Sequence, residues 1–288
     1  MKVRKAVILA AGFGTRMLPA SKAIPKEILP VVDTPAIQLV VEEVVRSGIR
    51  DIIMVISPGK TAVLNHFQPV PELERALEER EKQELLDLVR ATSDLADITA
   101  VEQSSPLGIG HAVLQARDKV GDEPFAVLLP DDIFDADPPC LRQLLDVAAA
   151  EDGPVVALMK VPRSEVSKYG IVEARALGGR RFHLTGMVEK PPVEQAPSDL
   201  AIIGRYILPP EIFSILAQAK PGTGGEIQLT DALLVLSRRR KLYGYEFEGV
   251  RYDLGDRLGF LTAQIGFGLK RPDLADKLRA YLRSVISS

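Results

Sequence analysis

The sequence predicts an α/β fold: a mixed, mainly parallel sheet flanked by helices, with a smaller β-rich annex in its second half. Three observations predict it. Short apolar runs recur at Ala6–Ala11, Ile52–Ile56, Phe125–Leu129 and Val155–Leu158 with helix-like segments between them, the pattern of strands buried on both faces. After Pro154 the character changes, and Tyr169–Glu173, Thr185–Glu189 and Ala201–Leu208 read as strands joined by glycine and proline turns without regular helical crossovers. Finally, 288 residues at 46% hydrophobic content are enough for one large core, or for a domain plus an annex.

Taken in order, Lys2, Arg4 and Lys5 precede the apolar run Ala6–Ala11. That run is too short for a signal core or a membrane span, and a glycine turn comes next, so it reads as a buried first strand. Thr34 and Pro35 resemble an N-cap and first helical position for a helix Ala36–Ser47, which Gly48 ends. Pro71–Arg90 is densely charged but keeps Leu73, Leu77, Leu85 and Leu88 near one face, predicting a single amphipathic surface helix. Ile98–Glu102 is strand-like, and the glycine turn Pro106–His111 starts another helix. Helical patterns return at Ile227–Arg239, Leu258–Gly268 and Asp273–Ile286, with strand-like Val250–Asp253 between the first two. The expected organisation is one catalytic domain over 1–270, with the annex across roughly 155–255, and a C-terminal helix in 271–288.

A net charge of −3 lacks the basic excess that binding a nucleic-acid backbone requires. One cysteine, Cys140, excludes an internal disulfide framework, and three scattered histidines give no zinc-ligand spacing. The expectation is a cytoplasmic protein with neither a nucleic-acid nor a membrane partner. Cys140 has no activating base in its flanking sequence and reads as structural.

The candidate chemistry begins where the first strand runs into Leu9-Ala10-Ala11-Gly12-Phe13-Gly14-Thr15-Arg16. Two glycines let the backbone turn tightly and present N–H groups to phosphate oxygens, although a structural turn explains such a pair as readily. A dinucleotide fingerprint would place a third glycine at position 17. Met17 stands there, and Pro19, Pro25 and Pro30 interrupt the next stretch, which argues against a dehydrogenase. The turn instead opens a loop carrying Arg16, Lys22 and Lys26, cations suited to a triphosphate. Asp131 and Asp132 follow a second strand end and offer hard oxygens for magnesium, or serve as a turn. Gln103 can read a base edge with Gly108 allowing close backbone approach, while His111 packs or caps the helix. Glu189 and Lys190 pair a hydroxyl acceptor with a phosphate cation, unless they are a surface charge pair. Tyr169-Gly170 offers a backbone N–H, and Asp253 in Tyr252-Asp253-Leu254-Gly255-Asp256 is either a second metal ligand or turn chemistry.

Together these segments resemble the sugar-phosphate nucleotidyltransferases, whose signature is a strand, a Gly-x-Gly-Thr-Arg loop and a lysine before Leu-Pro; here Gly12–Arg16 and Lys26-Glu27-Ile28-Leu29-Pro30 carry it. The fuller string AAGFGTRMLPASKAIPKEILP, with GHAVL at 110–114, VEKP at 188–191 and EIQLTDAL at 226–233, is similar to the bacterial branch acting on UTP and glucose 1-phosphate. The resemblance runs from Lys5 to about Gly268. It implies a Rossmann-like fold of the nucleotide-diphospho-sugar transferase type, in which the annex binds sugar. It further implies that Ala10, Ala11, Gly12, Gln103 and Gly108 contact the nucleotide, joined by Gly14 and Thr15 of the loop, with Glu27 near the base. Arg16 and Lys26 would hold the triphosphate, Asp131 and Asp253 would bind Mg2+, Gly170 and Glu189 would hold glucose, and Lys190 would meet the sugar phosphate. Asp132 ranks below Asp131, and Asp253 follows Tyr252 where many relatives carry tryptophan. The implied reaction needs no protein nucleophile and gives UDP-glucose and pyrophosphate, in a homodimer or homotetramer. The remaining readings are a related transferase for another base or sugar and a non-catalytic nucleotide-sugar sensor.

Overall fold

The computed structural model describes residues 1–222 and 225–286. Its first half contains strands β1 (Lys5–Ala10), β2 (Pro30–Val31), β3 (Thr34–Pro35), β4 (Asp51–Ile56), β5 (Asp97–Glu102), β6 (Phe125–Leu128) and β7 (Asp132–Asp135). Between them lie α1 (Ala36–Arg46), α2 (Thr61–Asn65), α3 (Pro71–Glu79), α4 (Gln83–Ser93), α5 (Ile109–Gln115) and α6 (Arg117–Val120). The second half holds α7 (Cys140–Glu151), β8 (Val155–Lys160), β9 (Gly170–Gly178), β10 (Arg181–Glu189) and β11 (Leu200–Leu208). It ends with α8 (Glu211–Gln218), α9 (Leu229–Ser237), β12 (Tyr243–Glu246), β13 (Val250–Asp253), α10 (Arg257–Gly268) and α11 (Ala275–Ile286).

Nine strands form one sheet in the order β5-β4-β1-β6-β11-β8-β12-β10-β9. β5, β4, β1 and β6 run parallel, which places the ends of β1, β5 and β6 along one edge. β11 is antiparallel to both β6 and β8, so the β-rich second half continues the same sheet. The far end curls until Ile171 of β9 pairs with Ala201 of β11. β13 pairs with β7 beneath the end of β6.

Alternation along β1 explains the layering. Ala6, Ile8 and Ala10 face one core with Ile37, Val40 and Val44 of α1 and Leu141 and Leu144 of α7. Val7 and Leu9 face the opposite core with Val113 of α5, Ile212 and Leu216 of α8 and Leu233 of α9. Burying each such aliphatic side chain contributes about 1.5–3 kcal/mol, so a strand covered on both faces is anchored twice.

Two sequence expectations are corrected. Thr34 is not the cap of α1: Thr34 and Pro35 pair with Pro30 and Val31, and Pro35 occupies the cap position with no side-chain hydrogen bond. Pro71–Arg90 is not one helix, because Glu81 takes a left-handed φ of 56° and separates α3 from α4. Nor does the anticipated leucine face form the anchor there. Leu73, Leu85 and Leu88 are exposed, and Leu86 is buried. Gly48, at φ 93°, ends α1 as the sequence implies. The C-terminal helix is α11; Ser287 and Ser288 of the expected 271–288 segment lie outside the described residues.

Candidate active site

β1 delivers the chain into the glycine loop. Gly14 sits at φ 67°, ψ 29°, and a Cβ there would stand 3.1 Å from Cβ of Lys26, so this position needs both glycine's backbone freedom and its missing side chain. The prolines limit the adjoining stretch to single 3₁₀ turns at Thr15–Met17, Ala20–Lys22 and Lys26–Ile28. These turns carry Lys26 to the floor of a cleft, where Nζ lies 2.6 Å from Oδ2 of Asp131. Nη2 of Arg16 is 3.6 Å from the same oxygen, with its side chain largely exposed, while Lys22 is exposed and does not line the cleft.

Burial disfavours both charges of this pair, yet mutual attraction outweighs it. Desolvation works against the Lys26 ammonium, but the charge and hydrogen bond of Asp131 hold its pKa above the ordinary value. Desolvation likewise opposes ionisation of Asp131, and Lys26 with Arg16 keeps its carboxyl below the usual range. A charged lysine and an ionised aspartate therefore coexist at neutral pH.

Asp131 is braced from two sides. Its carbonyl accepts the N–H of Leu254 at 2.7 Å, and Oδ1 of Asp253 accepts the N–H of Gly255 at 2.9 Å. A Cβ on Gly255 would come within 3.0 Å of Oδ2 of Asp131, so the β13–α10 turn packs directly on this carboxylate. From the core, the fully buried Arg205 donates to the carbonyls of Leu129 (3.0 Å) and Asp132 (2.9 Å), flanking Asp131. Glu43 of α1 holds that guanidinium at 2.6 Å. Asp132 also lines the cleft, with Oδ2 accepting the N–H of Gly204 at 2.9 Å and Oδ1 pairing with Arg251. Desolvation pushes its carboxyl up against the pull of Arg251, with Asp131 and Asp253 adding to the rise. Both of its carboxylate oxygens thus have protein partners.

At one end of the cleft, the buried Gln103 directs its amide at the Gly108 carbonyl (3.3 Å) and Nδ1 of His111 (2.9 Å). Gly108 has φ 95°, and a Cβ there would meet the Ile227 carbonyl at 2.9 Å. The strap before α9 therefore lies edge-on against this turn, tied by the bonds from Ile227 N–H to Leu107 O and from Gly110 N–H to Ile227 O. At the other end, Oε2 of Glu189 accepts the Thr230 hydroxyl at 2.6 Å. Lys190 has a left-handed φ of 46°, donates its N–H to the Tyr169 carbonyl, and keeps Nζ 3.5 Å from Oε1 of Glu189.

The cleft holds about 680 Å³. It brings together Ala11, Gly12, Thr15, Arg16 and Lys26 with Gln103, Gly108 and Asp131, and with Gly170, Glu189, Lys190 and Asp253. Ala10, Gly14 and Glu27 do not line it. The Glu27 carboxylate, expected near the base, is buried and turned onto Lys60, at 3.0 and 2.9 Å. Sequence reasoning missed Lys60, Arg205, Glu43, Arg251 and Thr230. A lone arginine inside the apolar β11 was the clearest signal, since a buried charge requires a partner. Among the described residues no three His, Cys, Asp or Glu side chains cluster as a metal cage. Asp131 and Asp253 both line the cleft, and carboxylate oxygens of this kind suit magnesium completed by substrate phosphates and water.

Two cations converging on one carboxylate at the carboxyl edge of an α/β sheet suit an enzyme that moves phosphoryl groups between bound substrates. The chain belongs to the nucleotidyl transferase family, which matches residues 5–266. It is 49% identical to a UTP–glucose-1-phosphate uridylyltransferase of Bacillus subtilis, over 99% of this chain and 98% of that one. It is 45% identical to one from Staphylococcus epidermidis, over 99% of each. Among solved structures it resembles a UTP-bound UGPase from Acinetobacter baumannii (TM-score 0.90, 38% identity, 98% of this chain and 99% of that one). A UDP-glucose pyrophosphorylase complexed with UDP-glucose aligns with TM-score 0.85 at 38% identity, over 94% of this chain and all of that one.

Proposed function

We propose that this chain transfers the uridylyl group of UTP to glucose 1-phosphate, giving UDP-glucose and pyrophosphate. The observation that carries the reading is the Arg16–Lys26–Asp131 cluster on the cleft floor, between the glycine loop and the Glu189–Lys190 edge. A phosphate oxygen of glucose 1-phosphate attacks the α-phosphorus in line. The bond to the α–β bridging oxygen breaks as the new one forms, and pyrophosphate leaves with the electron pair. No covalent enzyme intermediate is needed, so the protein contributes position and charge.

In this reading the glycine loop and Gln103–Gly108 hold the nucleotide, while Gly170 and Glu189 hold the sugar. Arg16 and Lys26 neutralise the triphosphate as charge builds on the leaving group, and Lys190 steadies the sugar phosphate. Magnesium held by Asp131 and Asp253 supplies Lewis-acid neutralisation of phosphate oxygens when bound. Residues 1–270 act as the catalytic unit, with roughly 155–255 as its sugar-binding annex. A homodimer or homotetramer fits the exposed apolar side chains of Leu258, Leu261 and Ile265 on α10 and Tyr281 and Val285 on α11. The free, buried thiol of Cys140 fits a reducing cytoplasm, and no helix among the described residues is long and apolar enough to cross a membrane.

The test is product formation: UTP, glucose 1-phosphate and magnesium with purified protein, resolved by anion-exchange chromatography. UDP-glucose appearing in step with pyrophosphate and stopped by EDTA is expected. UTP consumption without UDP-glucose contradicts the proposal. Light scattering of the purified protein checks the oligomer, and a monomer at all concentrations overturns that part.

A further inference from the structure

Lys60 lies beyond the turn after β4 and immediately precedes α2, on the strand-end edge that carries the glycine loop. Its Nζ donates to the carbonyl of Ala10 at 3.0 Å, to the carbonyl of Gly12, and to both carboxylate oxygens of Glu27. The Lys60 side chain is 12% exposed and that of Glu27 is 1% exposed. An ammonium has three donors and no acceptor. Four protein oxygens already converge on it, so no hydrogen is left over for a substrate phosphate. Lys60 therefore acts on the loop, not on the ligand directly.

The planarity of the trans peptide determines which groups Lys60 fixes. The carbonyl of one residue and the N–H of the next lie antiparallel in one plane. With the Ala10 and Gly12 carbonyls turned to Lys60, the N–H groups of Ala11 and Phe13 point the opposite way. Ala11, Gly12 and Phe13 all line the cleft, and Lys60 does not. Side-chain packing restrains the loop tip little. No atom lies within 4 Å of the Cβ that Gly12 lacks, and Phe13 is 66% exposed. Polar contacts from below must therefore set these peptide planes.

We propose that Lys60 is a positioning residue of the nucleotide subsite. It holds the Ala10 and Gly12 carbonyls so that the Ala11 and Phe13 amides face the phosphates of the bound nucleotide, with Glu27 as its charge partner. The inference rests on the cleft being the nucleotide site. Burial draws the Lys60 pKa below its ordinary value, and the charge and hydrogen bond of Glu27 oppose that fall.

Lys60→Met, Lys60→Arg and the double variant Lys60→Met/Glu27→Gln test it in the full chain, varying each substrate separately and recording Tm. Lys60→Met should raise KM for UTP tenfold or more while KM for glucose 1-phosphate changes less than about twofold. Lys60→Arg should recover part of the loss. The double variant should regain stability, because Glu27 is no longer left charged and unpaired, yet keep the nucleotide defect. It carries the comparison if Lys60→Met does not fold. Equal rises in both KM values, or a stable double variant with KM for UTP within twofold of wild type, would overturn the proposal. If the wild type prefers another nucleotide, only the base assignment falls, and the same comparison is read with that nucleotide.

Discussion

Replacing Glu43 by glutamine tests how the core supports the site. Arg205 is fully buried, and Glu43 holds it through Nε at 3.1 Å and Nη2 at 2.6 Å, while Oε1 also accepts the N–H of Leu141 at 3.0 Å. Burial alone would favour loss of the arginine's proton, but the charge and hydrogen bonds of Glu43 raise its pKa above the ordinary value. Glutamine keeps one acceptor oxygen, places an NH₂ group against guanidinium donors and removes the countercharge. Breaking a buried pair from one side costs about 3–5 kcal/mol, since it leaves a desolvated charge without a partner. The same guanidinium holds the carbonyls of Leu129 and Asp132, so kcat should fall with stability as the backbone around Asp131 loosens. Urea unfolding measures the first effect, and initial rates well below the midpoint measure the second. The double variant Glu43→Met/Arg205→Met removes both charges and should recover most of the stability but not the rate. A Glu43→Gln loss under about 1 kcal/mol, or a double variant with full activity, would refute the argument.

Further outcomes are expected from the cleft and core. Asp131→Asn should lower kcat by about a hundredfold or more while far-ultraviolet circular dichroism stays native, because Lys26 and Arg16 lose the carboxylate that orders them. Gly170→Ala should raise KM for glucose 1-phosphate at least tenfold with KM for UTP little changed, since the added Cβ would stand 2.9 Å from Oγ1 of Thr230 and 3.1 Å from Oε2 of Glu189. Burial, together with the nearby Glu43 charge, pushes the Cys140 thiol well above its ordinary pKa. Native protein should therefore resist iodoacetamide at pH 8.5 and react fully once unfolded in urea, a difference mass spectrometry reads directly.

The parts legible in the sequence were those where local chemistry and strand-end position agree. The glycine loop, the acid after β6 and the Gly108 turn each announce themselves within a few residues, and parallel pairing of their strands brings them to one edge. The supporting shell was less legible because its meaning is non-local. Glu42 and Glu43 are adjacent in α1, and only the tertiary fold buries Glu43 and brings it to Arg205 of β11 and the Leu141 N–H of α7. Lys60 looks like an ordinary turn lysine until β4 aligns beside β1. Glu27 comes directly after Lys26 in sequence, yet the 3₁₀ turn sends the two side chains to different partners, Asp131 and Lys60. The break between α3 and α4 carries no glycine or asparagine at Glu81 to signal its left-handed backbone, so periodicity alone ran through it.

The most direct test of the central claim is pyrophosphate release with glucose 1-phosphate and magnesium, run in parallel with UTP, dTTP, CTP, ATP and GTP. UTP-selective release, abolished by EDTA and restored by excess magnesium, is the predicted result. Preference for another nucleotide would contradict the base assignment and leave the transfer mechanism standing, whereas no release with any of the five would contradict the assignment of this cleft as a uridylyl-transfer site.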